Sequence, residues 1–170
     1  MEIKRISSGV WLEVALIFFS IIGLSFAEEY EKCFMDASDK YGINIHLLKA
    51  IAKVESGMHP YAVNINLKGR NKSFYIKNKK VASAFISYLE KKGYDFDVGI
   101  SQINIRNIRR FGLSPVELLD PCKNIEISAR ILRELTRKYG VTWNAVWRYN
   151  GSKNYSKKIF KALKDLSKNN

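Results

Sequence analysis

Glu55 stands where the pattern of its segment asks for an apolar side chain. In Ile45 to Gly57, the residues Leu48, Ile51, Ala52 and Glu55 recur at i, i+3, i+4 and i+7. That spacing is the stripe by which an amphipathic helix faces a core. Lys49, Lys53 and Ser56 fall away from its centre. Asn44 is placed to cap the first free N–H groups, and Gly57 to end the helix. An isolated carboxylate costs several kcal/mol to bury, so Glu55 must find a partner, border a wet cleft or keep its proton. The last two conditions describe a general acid. The plainer alternative is a half-exposed glutamate at a helix end.

Two other stretches offer polar groups. Gly99 to Asn104 lies in a segment, Tyr94 to Asn104, whose Val98, Ile100 and Ile103 pin it inward. A pinned loop of this kind displays side chains for binding. Tyr149-Asn150-Gly151 is a second polar break. A pocketed Glu whose pKa rises from about 4.3 towards about 6 can protonate the leaving oxygen of a glycosidic bond. Glycoside hydrolysis ordinarily takes a second carboxylate, for which Asp95 and Asp97 are available.

Other chemistries fit poorly. Ser56 has no His–Asp relay, since the two histidines are His46 and His59. Those histidines with Glu55 make no metal-ligand spacing, and no glycine loop cradles phosphate, so neither metal nor cofactor is expected. The net charge of +13 suits an acidic partner: nucleic acid, an anionic membrane surface or an anionic wall polymer. The lysines, however, are scattered or gathered on the tail from Lys153 to Lys168, without a finger or recognition helix. Nucleic acid is not expected as a partner.

The positioning elements follow from periodicity and punctuation. Residues 28–41 read as a first helix ending at Gly42, and the Glu55 helix follows. Met58 to Asn66 reads as loop, and Leu67 to Lys80 as a small hairpin turning at Lys68-Gly69-Arg70-Asn71. Val81, Phe85, Tyr88 and Leu89 mark a helix stopped by Gly93, and Tyr94 to Asn104 reads as irregular loop. A short helix runs from Ile105 to Phe111, and Ser114-Pro115 opens another turn or two. The longest helix runs from Asp120 or Pro121 to Tyr139 on Ile125, Ala129, Leu132 and Leu135. Trp143 to Arg148 is short, with Trp143, Val146 and Trp147 as core, and the basic tail is helical. The total is seven or eight helices in one domain with at most one small hairpin, within the size a single core supports.

The N-terminus reads as an export signal. Lys4 and Arg5 precede the apolar run Val14 to Leu24, and Ser25-Phe26-Ala27 offers the small residues of a cleavage site. Residues 1–27 are thus expected to be removed after Ala27, leaving one domain over 28–170. A retained anchor is the rival, though the run is short of the roughly 20 residues that span a bilayer. The lost charges, Glu2 and Glu13 against Lys4 and Arg5, cancel, so the mature charge stays +13. In an oxidising compartment Cys33 and Cys122 are expected to form a disulfide, worth about 4 kcal/mol by chain entropy.

Taken together, Glu55-Ser56, Gly99-Ile100-Ser101-Gln102-Ile103-Asn104 and Tyr149-Asn150 occur in the order and spacing of a known family. The chain resembles the small lytic transglycosylases that accompany type III and type IV secretion machines and type IV pili. Ala62 and Asn64 recur there too, and Cys33 with Cys122 resembles the cysteine pair of the secretion-associated branch. The resemblance implies a mainly α, lysozyme-like α+β fold around a glycan-binding cleft, acting in the periplasm. It implies an enzyme, a peptidoglycan lytic transglycosylase. Glu55 would protonate the bond between N-acetylmuramic acid and N-acetylglucosamine, then take the proton from the muramic 6-hydroxyl to leave a 1,6-anhydro product. Tyr149 would hold Glu55 or the sugar, Gln102 and Asn150 would bond to the sugar, Ser56 would orient, and Gly99 would admit the glycan. Asn104 would tie the loop down. Expected partners are peptidoglycan strands and a secretion or pilus assembly, with the protein a monomer and not held in the membrane after cleavage. Ile100-Ser101 stands for the family's Leu-Met, and Arg148 for a frequent Ala, which implies altered sugar preference. Two alternatives stay open: a muramidase using Asp95 or Asp97 to direct water, and a wall-binding assembly factor without catalysis.

Overall fold

The structure, a computed structural model, describes residues 30–168. Cys33–Asn170 form one compact unit, and of Met1–Lys32 only residues 30–32 are described. The expected export signal, residues 1–27, lies outside the described residues.

Helix α1 covers 30–41 and helix α2 covers Ile45–Ser56. The Asn44 side chain accepts from the backbone N–H groups of His46 and Leu47 at 2.9 and 3.2 Å. At the other end Gly57 takes the left-handed conformation, φ 64°, and its N–H returns to the last turn. Leu48, Ile51 and Ala52 are buried as their spacing requires. Ala50 is buried as well, because α2 packs on two later helices, α5 (Pro121–Tyr139) and α7 (Tyr155–Ser167). Cys33 in α1 and Cys122 in α5 form the expected disulfide, 89 residues apart in sequence.

The sheet is larger than one hairpin. Strand β1, Ala62–Leu67, runs antiparallel to β2, Arg70–Tyr75, with Leu67 facing Arg70 across Lys68-Gly69. On its other side β1 pairs with β3, Phe96–Val98, and β3 with β4, Ile103–Asn104. The order is β2-β1-β3-β4. Half of what reads as loop in Met58 to Asn66 is therefore the second strand from one edge. Its alternation is clean, with Val63 and Ile65 buried and Asn64 and Asn66 on the opposite face. Asparagine disfavours strands, which hides the period from composition.

Helix α3, Lys79–Lys91, buries Ala82, Ile86 and Leu89, while Val81 and Tyr88 of the expected stripe are more than half exposed. Helix α4, Ile105–Arg110, and a 3-10 turn, Pro115–Leu119, close the core beneath the sheet around Phe96, Val98, Ile103 and Leu118. In α6, Trp143–Asn150, Val146 is buried but Trp143 is 46% exposed, edge-on to Phe160 of α7. The described residues thus hold seven α-helices and a small antiparallel sheet, the mainly α, α+β class expected. Among them, no helix is long and apolar enough to cross a membrane.

Candidate functional site

The end of α2, the polar face of the sheet and residues of α6 and α7 line a cleft of about 590 Å³. Glu55 lies in its wall and is half-buried. Burial pushes its carboxyl from 4.5 up to about 7, and the nearby negative charge of Asp97 adds to the rise. The Tyr155 hydroxyl, the Asn150 amide and the positive charge of Lys158 pull the other way without winning. Desolvation decides. Near neutral pH the carboxyl is therefore shared between its protonated and charged forms, and the protonated form can donate to a ligand oxygen.

Ser56 fastens this helix end to the Gly99–Asn104 segment. Its hydroxyl is buried, donates to the Ile100 carbonyl at 2.7 Å and accepts from the His59 N–H at 2.9 Å. Gly99 has φ +82°, and its N–H bonds to the Ala62 carbonyl at 2.8 Å. A Cβ there would fall 2.1 Å from Asn124 Nδ2 and 2.6 Å from the Leu118 carbonyl oxygen. The glycine thus admits Asn124, a side chain of this protein. Gln102 also has positive φ, 49°, and its Nε2 donates to the carbonyls of Gly99 and Ala62 at 2.8 and 3.1 Å. Its amide nitrogen is committed to the backbone, which leaves Oε1 as the side chain's remaining polar atom.

Asn124 was not singled out by sequence reasoning. It is fully buried in the first turns of α5. Nδ2 donates to the carbonyls of Val98 and Leu118, and Oδ1 accepts from the Ser101 N–H. The available signal was Asn124 and Ser128, an i, i+4 polar pair flanking the apolar stripe of the longest helix.

Asp97 sits in a cage of amides. Asn64 and Asn66 donate to Oδ2 at 3.1 and 3.0 Å, and Asn104 donates to Oδ1 at 2.8 Å. Burial nevertheless holds its pKa above the usual carboxylate value. Asn104 also donates to Asp95 at 2.8 Å and caps α4 through the Arg106 N–H, which joins loop, strand and helix. Asp95 turns to Arg106, 2.8 Å away.

Tyr149 is committed elsewhere than to Glu55. Its hydroxyl donates to the Ser101 carbonyl at 2.9 Å and lies 3.0 Å from the Ser128 hydroxyl, and burial pushes its pKa up. The aromatic neighbour of Glu55 is Tyr155, stacked on Tyr149 with ring centroids 6.3 Å apart. Tyr155 is 3% exposed, and its buried hydroxyl faces the Glu55 carboxyl without a hydrogen bond of good geometry to any group. It reads from sequence as one more apolar position of the tail, so its hydroxyl went unnoticed. Because that hydroxyl favours the charged carboxylate, Tyr155→Phe will raise the Glu55 midpoint above about 7. Carbon-13 NMR of the carboxyl against pH reads this directly, and a fall in the midpoint would contradict the placement.

The chain matches the family described as transglycosylase SLT domain over residues 32–170. It is 29% identical over 160 residues to invasion protein IagB of Salmonella typhi, covering 85% of this chain and 84% of that one. To protein IpgF of Shigella sonnei it is 32% identical over 130 residues, 74% and 69% of the two chains. With the type IV secretion system protein virB1 of Brucella abortus it shares 34% identity over 91 residues, 54% of this chain and 37% of that one. These relatives correct one expectation, that the chain is an enzyme, a peptidoglycan lytic transglycosylase. Two of the three are named for invasion and for a secretion system, and none of the three names is that of an enzyme. The protonatable Glu55 is a capacity of the cleft and does not by itself make that assignment.

Proposed function

Because the chain belongs to the transglycosylase SLT domain family, we propose that it is a wall-binding assembly factor of a secretion or invasion apparatus, holding peptidoglycan glycan strands in its cleft. One observation carries the reading. The cleft is walled by neutral amides, among them Asn64, Asn66, Gln102 and Asn150, around two carboxyls whose charge burial disfavours. Such a lining matches the N-acetyl and hydroxyl groups of amino sugars and repays no strongly charged ligand. Protonated Glu55 donates to a sugar oxygen, while Asn150 and Gln102 Oε1 meet the N-acetyl group and hydroxyls. Residues 1–27 direct export, and 28–170 work in the periplasm as a monomer.

A second reading, muramidase hydrolysis by water, is favoured by one feature. Glu55 keeps its proton up to about 7 in the same cleft as Asp97, a carboxylate held by three amide donors. Purified peptidoglycan incubated with residues 28–170 separates the possibilities, with sedimentation for binding and mass spectrometry for released fragments. The proposal expects the protein to pellet with the wall and the supernatant to hold no muropeptides. Fragments carrying an added water establish the second reading instead. Anhydro-ended fragments would overturn both, and a protein that stays in solution would remove the glycan assignment.

A further inference from the structure

We propose that the groove between the end of α1 and the outer face of α5 docks an acidic peptide segment of a partner protein. The groove has a volume of about 470 Å³ and is lined by Lys40, Tyr41, Arg130, Arg133, Glu134 and Arg137, together with Gly42. None of these residues lines the glycan cleft. Two of the four cations are already engaged. Lys40 bonds to Glu126 at 2.7 Å, and Arg130 lies over the Phe111 ring at 4.2 Å and 3.8 Å from Glu134. Arg133 and Arg137 have no carboxylate partner among the described residues.

Arg137 has an ordinary explanation in the last turn of α5, where a cation offsets the helix dipole. Arg133 lies one turn earlier and does not. Arg133 is half-buried, and its guanidinium lies beside the turn at Gly42, where a Cβ would stand 3.9 Å from Nη1. A guanidinium presents its donors in a planar fork that a carboxylate meets with two hydrogen bonds, and Arg137, four residues on, adds a second fork on the same face. Glu134, bonded to Arg110 at 2.6 Å, stands between them in the groove. A dense polyphosphate would meet that carboxylate as repulsion. A peptide can place its acids at Arg133 and Arg137 and a backbone N–H at Glu134. Separation from the cleft lets the protein hold wall and partner at once.

The test is an NMR titration of residues 28–170 with an end-capped Asp-Gly repeat peptide, its Asn-Gly counterpart and tripolyphosphate. The proposal expects the Asp-Gly peptide to shift Gly42 and Arg133 resonances and the Asn-Gly peptide to leave them in place. Arg133→Gln with Arg137→Gln should weaken the Asp-Gly peptide about tenfold. Lys157→Gln with Lys161→Gln removes equal charge from α7 and should leave it unchanged, while Arg133→Lys keeps the charge and still weakens binding by losing the fork. Equal loss in both double variants would reduce the groove to general positive charge and overturn the proposal. Tighter binding of tripolyphosphate at these resonances would overturn it in favour of a phosphate ligand. Neither outcome depends on whether glycan enters the cleft.

Discussion

Replacing Asn124 with alanine will cost the protein about 5 kcal/mol of unfolding free energy, because three buried backbone groups lose their partner together. Nδ2 donates at 2.8 and 2.9 Å to the carbonyls of Val98 and Leu118, and Oδ1 accepts from Ser101 at 2.9 Å. With Asn124 fully buried, little water can replace it. Each orphaned group costs about 1 to 3 kcal/mol, and relaxation around the new cavity recovers part of the sum. Gly99→Ala attacks the same lock from the other side, because its Cβ would overlap Nδ2 in a backbone conformation that already strains alanine. The two changes should therefore be far from additive, since either one displaces the amide. Urea denaturation of both single variants and the double measures this. A loss under about 1 kcal/mol for Asn124→Ala would show that the loop does not depend on it.

Glu55→Gln will make the protein more stable near pH 8 and leave it unchanged near pH 4. The folded midpoint, about 7, lies above the ordinary 4.5. Below 4.5 both folded and unfolded chains carry the proton, and the residue adds no pH dependence. Between 4.5 and about 7 the unfolded chain has released its proton while the folded one retains it, so stability falls as pH rises. Above about 7 the whole cost of a charged carboxylate in the wall is present, about 3 kcal/mol. Glutamine keeps the shape and never charges. Asp97, also raised by burial, contributes a slope of the same sign to both proteins, so the difference between them reports Glu55 together with its repulsion by the Asp97 charge. Thermal melts across this range should converge in acid and separate in base. Parallel curves would place Glu55 in solvent.

The helical frame was legible because its signals are local. Asn44 and Gly57 bracket α2, and the apolar stripe of α5 recurs at helical spacing. Glu55 was legible for the same reason, as a carboxylate breaking such a stripe. The sheet was not, because Asn64 and Asn66 supply the polar half of a strand with a residue more common in turns, and pairing with β2 on one side and β3 on the other makes a strand of them. Tyr155 and Asn124 escaped for a different reason. Each looks ordinary on its own helix, and its importance comes from a neighbour distant in sequence: Glu55 for one, the carbonyl of Val98 for the other. Glu55, Gln102, Asn104, Tyr149 and Asn150 line the cleft, yet several of these motif positions spend their polar atoms on the fold. Tyr149 and Gln102 bond to backbone carbonyls of Ser101 and Gly99, so the pattern marks how the cleft is built as much as what enters it.

The reading of the cleft as a glycan site is tested most directly by amide and side-chain NMR of residues 28–170 titrated with an N-acetylglucosamine oligosaccharide. The account predicts saturable shifts confined to the side-chain amides of Asn64, Asn66, Gln102 and Asn150, together with a change in the titration midpoint of Glu55. Shifts elsewhere with these signals unmoved, or no shift up to the solubility of the sugar, would contradict it.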